Sequence, residues 1–556
     1  MKPLIPLVLM VLAACATPGP EVTDPDELAP DFGQPGEAGY HLLMAEIALQ
    51  RDLPALAATE YLRAARISNE PSVAERATRI AIAFGTRAEG LEAAQRWAAL
   101  APDDLHPRRF LVRLHLEEGD RERAVAELRL LRAAAGQAER AFLPLLPLAV
   151  EAHDRTAALD AMAAVVADYP HDASGAYVQA YLALRAGDVR LAEAEAERAV
   201  ALDPGWTEAA MLYARTIAAD GRIDEALGWL AGRPEAAEPG VQLEIAVMLM
   251  AAERTGEARA LLEELLAAHP ADADALRALG YLEYFDGEPE AAREAFMSLL
   301  GTGRHSNDAL FYLGGIAEQQ GEIEEAARLY SRVSGGEHLV TAQVRLALVM
   351  FRMGRPELAI NHLELFAQRN PGAAVELGAA RAELLMRLGL PEDALQVYDE
   401  LLERHPDEVM LRYARGLLHV ELGQVDEALA DFEHLVALYP DDPSALNALG
   451  YTLTDMTERH DEAYPLIRRA LALEPDDPAI LDSMGWVLFR LGRPEEALPY
   501  IERSWALHQD AEIAAHLGEV LWSLGRIDEA RSIWLEAIID FPGSQVLLDT
   551  MGRLDP

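Results

Sequence analysis

The sequence predicts an all-α fold, a solenoid of helical hairpins, and three observations predict it. The first is a register. A small residue is followed seven positions later by a turn residue, usually Gly, and twelve positions later by Ala. The clearest sets are Gly280/Gly287/Ala292, Gly314/Gly321/Ala326, Gly416/Gly423/Ala428, Gly485/Gly492/Ala497 and Gly518/Gly525/Ala530. The second is the period: copies start about 34 residues apart and run in register between residues 38 and 542, about fifteen in all. The third is what separates them. No stretch alternates in the manner of a strand, and no linker between copies is long enough to split the chain.

The chain opens on a different pattern. Lys2 gives a small positive start, and Leu4 to Leu12 is an apolar stretch too short to span a bilayer as a mature helix. It ends Leu12-Ala13-Ala14-Cys15, which resembles the bacterial lipobox. The resemblance implies a signal peptide over 1–14 and a diacylglycerol on the sulfur of Cys15, which becomes the new N-terminus. Cys15 is the only cysteine, so a disulfide within the chain is impossible. Residue 16 is Ala, not Asp; by the Gram-negative sorting pattern this implies the outer membrane, with the repeats facing the periplasm. Residues 15–37 are rich in Pro, Gly, Asp and Glu and read as a lipidated flexible tether.

From residue 38 to 556 the hairpins follow. In the copy centred on Gly416, helices are expected near 408–421 and 426–438. Gly423 sits between them, where a left-handed backbone needs no Cβ. Ala428 marks the crossing, where a larger side chain would force the axes apart. Phe432 fills the gap one turn on, and Pro440 ends the second helix. Upstream, Ala45, Ala81, Val112, Leu146, Ala180, Ala214 and Ala246 take the first position; Ala57, Ala93, Ala124, Ala158, Ala192, Ala226 and Ala258 follow twelve later. Downstream come Ala347/Ala359, Ala382/Ala394 and Gly450/Ala463, the last with one extra residue. Loops near Gly232–Gly240, Gly301–Asn307 and Ser334–His338 read as joints within one solenoid, or at most a hinge between two arms. Residues 544–554 read as a capping helix.

This register resembles the tetratricopeptide repeat (TPR). Leu446, Leu449, Gly450, Ala463, Ala470 and Pro475 carry the pattern in one copy; Leu310, Leu313, Gly314, Ala326 and Tyr330 carry it in another. The resemblance covers roughly nine-tenths of the chain and implies a right-handed superhelical solenoid. Fifteen copies in register make it specific.

Composition narrows the function. The formal charge is −45, and loss of Lys2 with the signal peptide makes it −46. There is no other lysine, so every remaining basic side chain is Arg. Such a chain repels nucleic acid and anionic lipid head groups. No H-E-x-x-H, P-loop, G-x-S-x-G or paired cysteine is present, and the 15 histidines are scattered, so neither an enzyme nor a bound metal or cofactor is expected. Ser483 beside Asp482 reads as a polar side chain within a repeat helix. Asp441-Asp442 and Asp476-Asp477 fall at the loop after each Pro, where N-capping explains them.

What remains is the face formed by the first helices, the groove in TPR hairpins. Positions six and three before the Gly, and one and four after it, point inward. They yield Arg277, Tyr281, Tyr284 and Phe311 in the middle, with Phe285 adjacent. Near the end they yield Asn447, Tyr451, Asp482, Trp486, Phe489 and Trp522, with Arg490, adjacent to Phe489, taken with them. Aromatics and Arg with a polar rim suit protein binding; the alternative is that some fill the next hairpin's core, as expected for Phe432, Tyr398 and Trp534. The lysine-based TPR clamp on a peptide carboxylate has no lysine here to use. The stretch Leu481-Asp-Ser-Met-Gly-Trp486, Leu491-Gly-Arg, Glu496-Ala-Leu-Pro-Tyr500 and His516-Leu-Gly-Glu-Val-Leu-Trp522 resembles the long TPR lipoproteins that bind and activate a carboxy-terminal processing protease. That resemblance implies a non-catalytic adaptor gathering the protease and its cell-wall hydrolase substrates. A role in export of a cell-surface polysaccharide, or in assembly of outer-membrane proteins or a secretion machine, stays open beside it.

Overall fold

A computed structural model describes residues 37–51 and 53–555. The expected signal peptide, Cys15 and all of the tether but Glu37 lie outside the described residues. The described residues hold helices and turns and no strand, and no helix among them is long and apolar enough to cross a membrane.

The chain divides into two compact units, Met1–Pro270 and Ala271–Pro556. The boundary falls in the short turn before helix Ala273–Phe285, not at any of the three loops expected as joints. Seven hairpins are described in the first unit, from Ala38–Gln50 with Pro54–Ile67 to Pro239–Ala251 with Thr255–Ala268. Eight are described in the second, from Ala273–Phe285 with Pro289–Thr302 to Ala511–Ser523 with Ile527–Asp540. Helix Gln545–Leu554 follows, its N-terminus capped by the Ser544 hydroxyl, and packs on Ala511–Ser523.

The register explains the hairpins at atomic scale. All fifteen alanines at its third position are at most 1% exposed, so helix crossing is what that position serves. The first position is small because it faces a large side chain of its own hairpin. A Cβ on Gly280 would lie 2.6 Å from Phe296, on Gly416 2.6 Å from Phe432, on Gly485 2.1 Å from Ile501 and on Gly518 1.9 Å from Trp534. The middle position closes the turn: Gly423 has φ 69°, and the corresponding slot of the Ala246 copy holds Glu253 at φ 58°. The copy around Gly416 has helices Val409–Glu421 and Val425–Leu438, within a residue or so of expectation. Asp442 and Asp477 cap the helices that follow them, accepting from the N–H of Ala445 at 2.7 Å and Ile480 at 2.9 Å.

Two copies depart from the pattern. Around Leu146 the first helix shrinks to the 3-10 turn Leu143–Leu145 and the short helix Leu146–Val150. Pro144 and Pro147 remove two backbone donors there, and Phe142, fully buried, supplies the missing core. After Gly450 the extra residue sits in the turn between Pro443–Met456 and His460–Leu473, which closes without a left-handed glycine. Gly301, expected in a joint, lies inside helix Pro289–Thr302.

Candidate functional site

Two clusters form on the inner face of the C-terminal unit, where successive first helices lie side by side. The one nearer the C-terminus joins helices Pro443–Met456, Pro478–Arg490 and Ala511–Ser523. Asp482 and His516 are both buried, with Asp482 Oδ2 2.9 Å from His516 Nδ1. The Trp486 ring stacks on His516 at 3.9 Å and on Phe489 at 5.3 Å, and its indole N–H donates to Asp455 Oδ1 at 3.2 Å. Arg490 lies over Trp486 at 5.7 Å and 3.9 Å from Glu458. The Tyr451 hydroxyl donates to Glu512, which belongs to the hairpin two further on. This tie crosses the intervening hairpin, so the face here is filled by its own side chains.

Electrostatics follow from that burial. Desolvation opposes a charge on His516, but the Asp482 carboxylate beside it outweighs this and raises the imidazole above its ordinary value. Burial, then the Glu512 charge, pushes the Tyr451 phenol upward. One Asp482 oxygen and the Asn447 amide oxygen are buried without a hydrogen-bond partner. The Asp482–His516 pair orients an imidazole, yet Trp486 covers its face and no hydroxyl among the described residues bonds it.

The second cluster joins helices Ala273–Phe285 and Ser306–Gln319 with the start of Leu339–Arg352. Tyr312 is its centre, with Tyr281, Tyr284, Phe296 and Phe311 all within 5.2 Å between ring centroids. The His338 ring stacks flat on Phe311 at 4.4 Å. Tyr281 donates to Asp308 at 3.3 Å, and Arg277 lies 3.4 Å from the same oxygen. Burial, then the Asp308 charge, raises the Tyr281 phenol. Asp308, Glu337 and His338 place one ligand atom each within 4.8 Å of one another, the spacing a metal needs. Arg277 and Tyr281 already occupy Asp308.

The expected groove residues therefore separate. Asp482 and Trp486 are buried between helices, with Trp486 only 6% exposed. Arg277, Tyr281, Tyr284, Phe311, Asn447, Tyr451, Phe489, Arg490 and Trp522 are half-buried. Phe285 stands 74% exposed. Trp522 stacks at 5.8 Å on Trp534, which is fully buried, as are Phe432 and very nearly Tyr398. Sequence reasoning missed Asp308, Tyr312, His338, Asp455, Glu512 and His516. Asp308 and Glu512 stand six before Gly314 and Gly518, so the register reached them; a search for aromatics and arginines passes over acids.

Comparison with known proteins identifies the repeat. The tetratricopeptide-repeat family profile matches residues 143–238, 243–335, 344–478 and 483–545 in overlapping pairs of repeats. The hairpins before residue 143 lie outside the matched residues. The TPR repeat-containing protein PA4667 of Pseudomonas aeruginosa is 33% identical over 518 residues, covering 86% of this chain and 82% of that protein. Cellulose synthase operon protein C of Xanthomonas axonopodis pv. citri is 30% identical over 194 residues, 33% of this chain and 13% of that protein. Among solved structures, yeast Tom70 aligns with TM-score 0.37 at 16% identity, over 77% of this chain and 95% of that one. The chain belongs to the tetratricopeptide-repeat family.

Proposed function

We propose that this protein is a non-catalytic scaffold lipoprotein, anchored through Cys15 in the outer membrane of a Gram-negative bacterium and facing the periplasm. It holds protein partners on the inner faces of its hairpins, foremost a protease of the carboxy-terminal processing type together with that protease's cell-wall hydrolase substrates. The observation that carries the scaffold reading is the run of hairpins itself: they account for the described chain from Ala38 to Asp540, and every one follows the same crossing rule. Repeats stacked in this way present extended surfaces suited to holding other chains. The lipobox-like Leu12-Ala13-Ala14-Cys15 supports the anchor, and the resemblance of 481–522 supports the protease.

Capture from envelope extract by the tagged full-length lipoprotein tests the reading. A serine protease of the processing type should be recovered, and Phe489→Ala with Arg490→Ala should cut its recovery at least tenfold while helicity is kept. Recovery of no such protease would remove the sharper half of the proposal. Cys15→Ala should move the protein out of the membrane fraction; unchanged retention would refute the lipid anchor. The similarity to cellulose synthase operon protein C favours a second reading, a role beside a cell-surface polysaccharide machine. Recovery of a polysaccharide synthase or porin in place of the protease would select it.

A further inference from the structure

Between the two aromatic clusters the inner face of the C-terminal unit changes character. A cavity of about 480 Å³ opens across three successive first helices, Leu339–Arg352, Ala374–Arg387 and Val409–Glu421. Val340, Val375, Ala379, Met410, Leu411 and Ala414 give it apolar walls. Met410 is 70% exposed at its mouth, and Leu417, nearly two turns along the same helix, is 47% exposed. A thioether held in water is a poor use of an apolar side chain and an adaptable contact for another one.

The rim is acidic. Glu376 and Glu408 line the cavity, and neither forms an ion pair among the described residues. Three arginines near them in sequence are engaged elsewhere, and Arg404, four before Glu408, forms no ion pair with it. Arg381 lies 3.5 Å from Glu364, Arg412 pairs with Asp431 at 3.0 Å, and Arg415 pairs with Asp431 and Asp399. In a chain of charge −45, two carboxylates without ion-pair partners beside an apolar cavity favour a cationic approach.

We propose that this cavity is a docking site for a basic peptide segment of a protein partner. One bulky apolar side chain enters between Val375, Ala379 and Met410, and Lys or Arg on either side of it pairs with Glu376 and Glu408. The volume is that of a small ligand pocket, enough for one such side chain with its backbone. The inference rests on the scaffold reading and adds to it the chemistry of the segment recognised.

Fluorescence anisotropy with the full-length protein tests it, using a labelled peptide with one Phe flanked on each side by two lysines. Binding should fall at least tenfold when the Phe is replaced by Ser, at least tenfold when the lysines are replaced by glutamates, and at least tenfold in the E376Q/E408Q double variant. Both carboxylates lack ion-pair partners, so that variant should keep its circular dichroism and lose only the small contribution of two charges at helix N-termini from its melting profile. Equal binding of the lysine and glutamate peptides would overturn the proposal, as would binding unchanged in E376Q/E408Q. A neutral apolar probe such as dodecyl maltoside competing as well as the lysine peptide would mark a lipid or detergent pocket and also overturn it. The two readings fail separately. An envelope partner captured equally by the wild type and E376Q/E408Q removes this docking site and leaves the scaffold; peptide binding without any captured partner does the reverse.

Discussion

Gly518→Ala adds one carbon at the tightest point of the C-terminal hairpin. The new Cβ would lie 1.9 Å from Trp534 Nε1 and 2.2 Å from Cε2, well inside any van der Waals contact. The indole has nowhere to go: Trp534 is fully buried and stacked on Trp522. Overpacking of this kind costs about 1–3 kcal/mol, while Ala in a helix interior returns about 1 kcal/mol relative to Gly. The 1.9 Å approach puts this substitution in the upper half of the overpacking range, so a net loss of about 1–2 kcal/mol follows, with about 3–5 kcal/mol as the ceiling if the ring is expelled altogether. Apart from the Tyr451–Glu512 tie, repeats here pack on their neighbours, so one global melting temperature is the wrong readout. Amide exchange resolved by segment is the right one. Exchange in 511–540 and in Gln545–Leu554 should quicken about tenfold, the factor that 1.4 kcal/mol represents, and the Met1–Pro270 unit should be unchanged. Gly228→Ala is the control, because nothing lies within 4 Å of its Cβ position in helix Ile223–Ala231. It should slow exchange there by up to about fivefold, from the propensity gain alone. A neutral Gly518→Ala, or one that quickens exchange equally in distant hairpins, refutes the packing argument.

Three further outcomes are expected. Asp431 is 2% exposed and accepts from both Arg412 at 3.0 Å and Arg415 at 2.8 Å; Asp431→Asn leaves two guanidiniums underpaired and should cost about 3 kcal/mol in the denaturant midpoint or local exchange of 409–438. His516 is raised above its unfolded value of 6.5, so its contribution is fully present below about pH 6.5 and is lost as pH rises through the folded value. Exchange in 478–523 should therefore quicken with alkalinity beyond the intrinsic rate, and Asp482→Asn should abolish that slope; a slope that survives in Asp482→Asn contradicts the pairing. Glu253 holds a left-handed turn slot at φ 58°, where Gly removes a strain of about 1–2 kcal/mol and gives back part of it in unfolded-chain entropy. Glu253→Gly should stabilise 239–268 by about 0.5–1 kcal/mol, measured by the same exchange, and a destabilised variant would show that Glu253 is not strained.

The hairpins were legible because each rests on a local steric rule repeated with a fixed spacing. Gly416 opposite Phe432, and Ala428 at the crossing, are both visible in one period of sequence. Only where prolines displace a helix, around Leu146, did the register mislead about length. The inner face was less legible. Whether Trp486 is open or buried depends on His516 and Asp455, which come from the hairpins after and before its own. Tyr451 reaches Glu512 because of the stagger between hairpins, and no periodicity reports a stagger. The apolar cavity at Met410 was invisible for the same reason, since its walls come from three periods, each of which reads as ordinary core.

The Tyr451–Glu512 tie has a mechanical meaning. Pulled from its ends, a chain of hairpins with neighbour-only contacts yields one hairpin at a time. Each step releases about 34 residues, roughly 110–120 Å of extended chain. A tie that skips a hairpin adds one charge-assisted hydrogen bond to the step that frees the last of them. Worth about 1.5–3 kcal/mol, it makes the hairpin of Ala511–Ser523 and Ile527–Asp540 harder to peel away than contacts with its neighbour alone would, without lengthening the step.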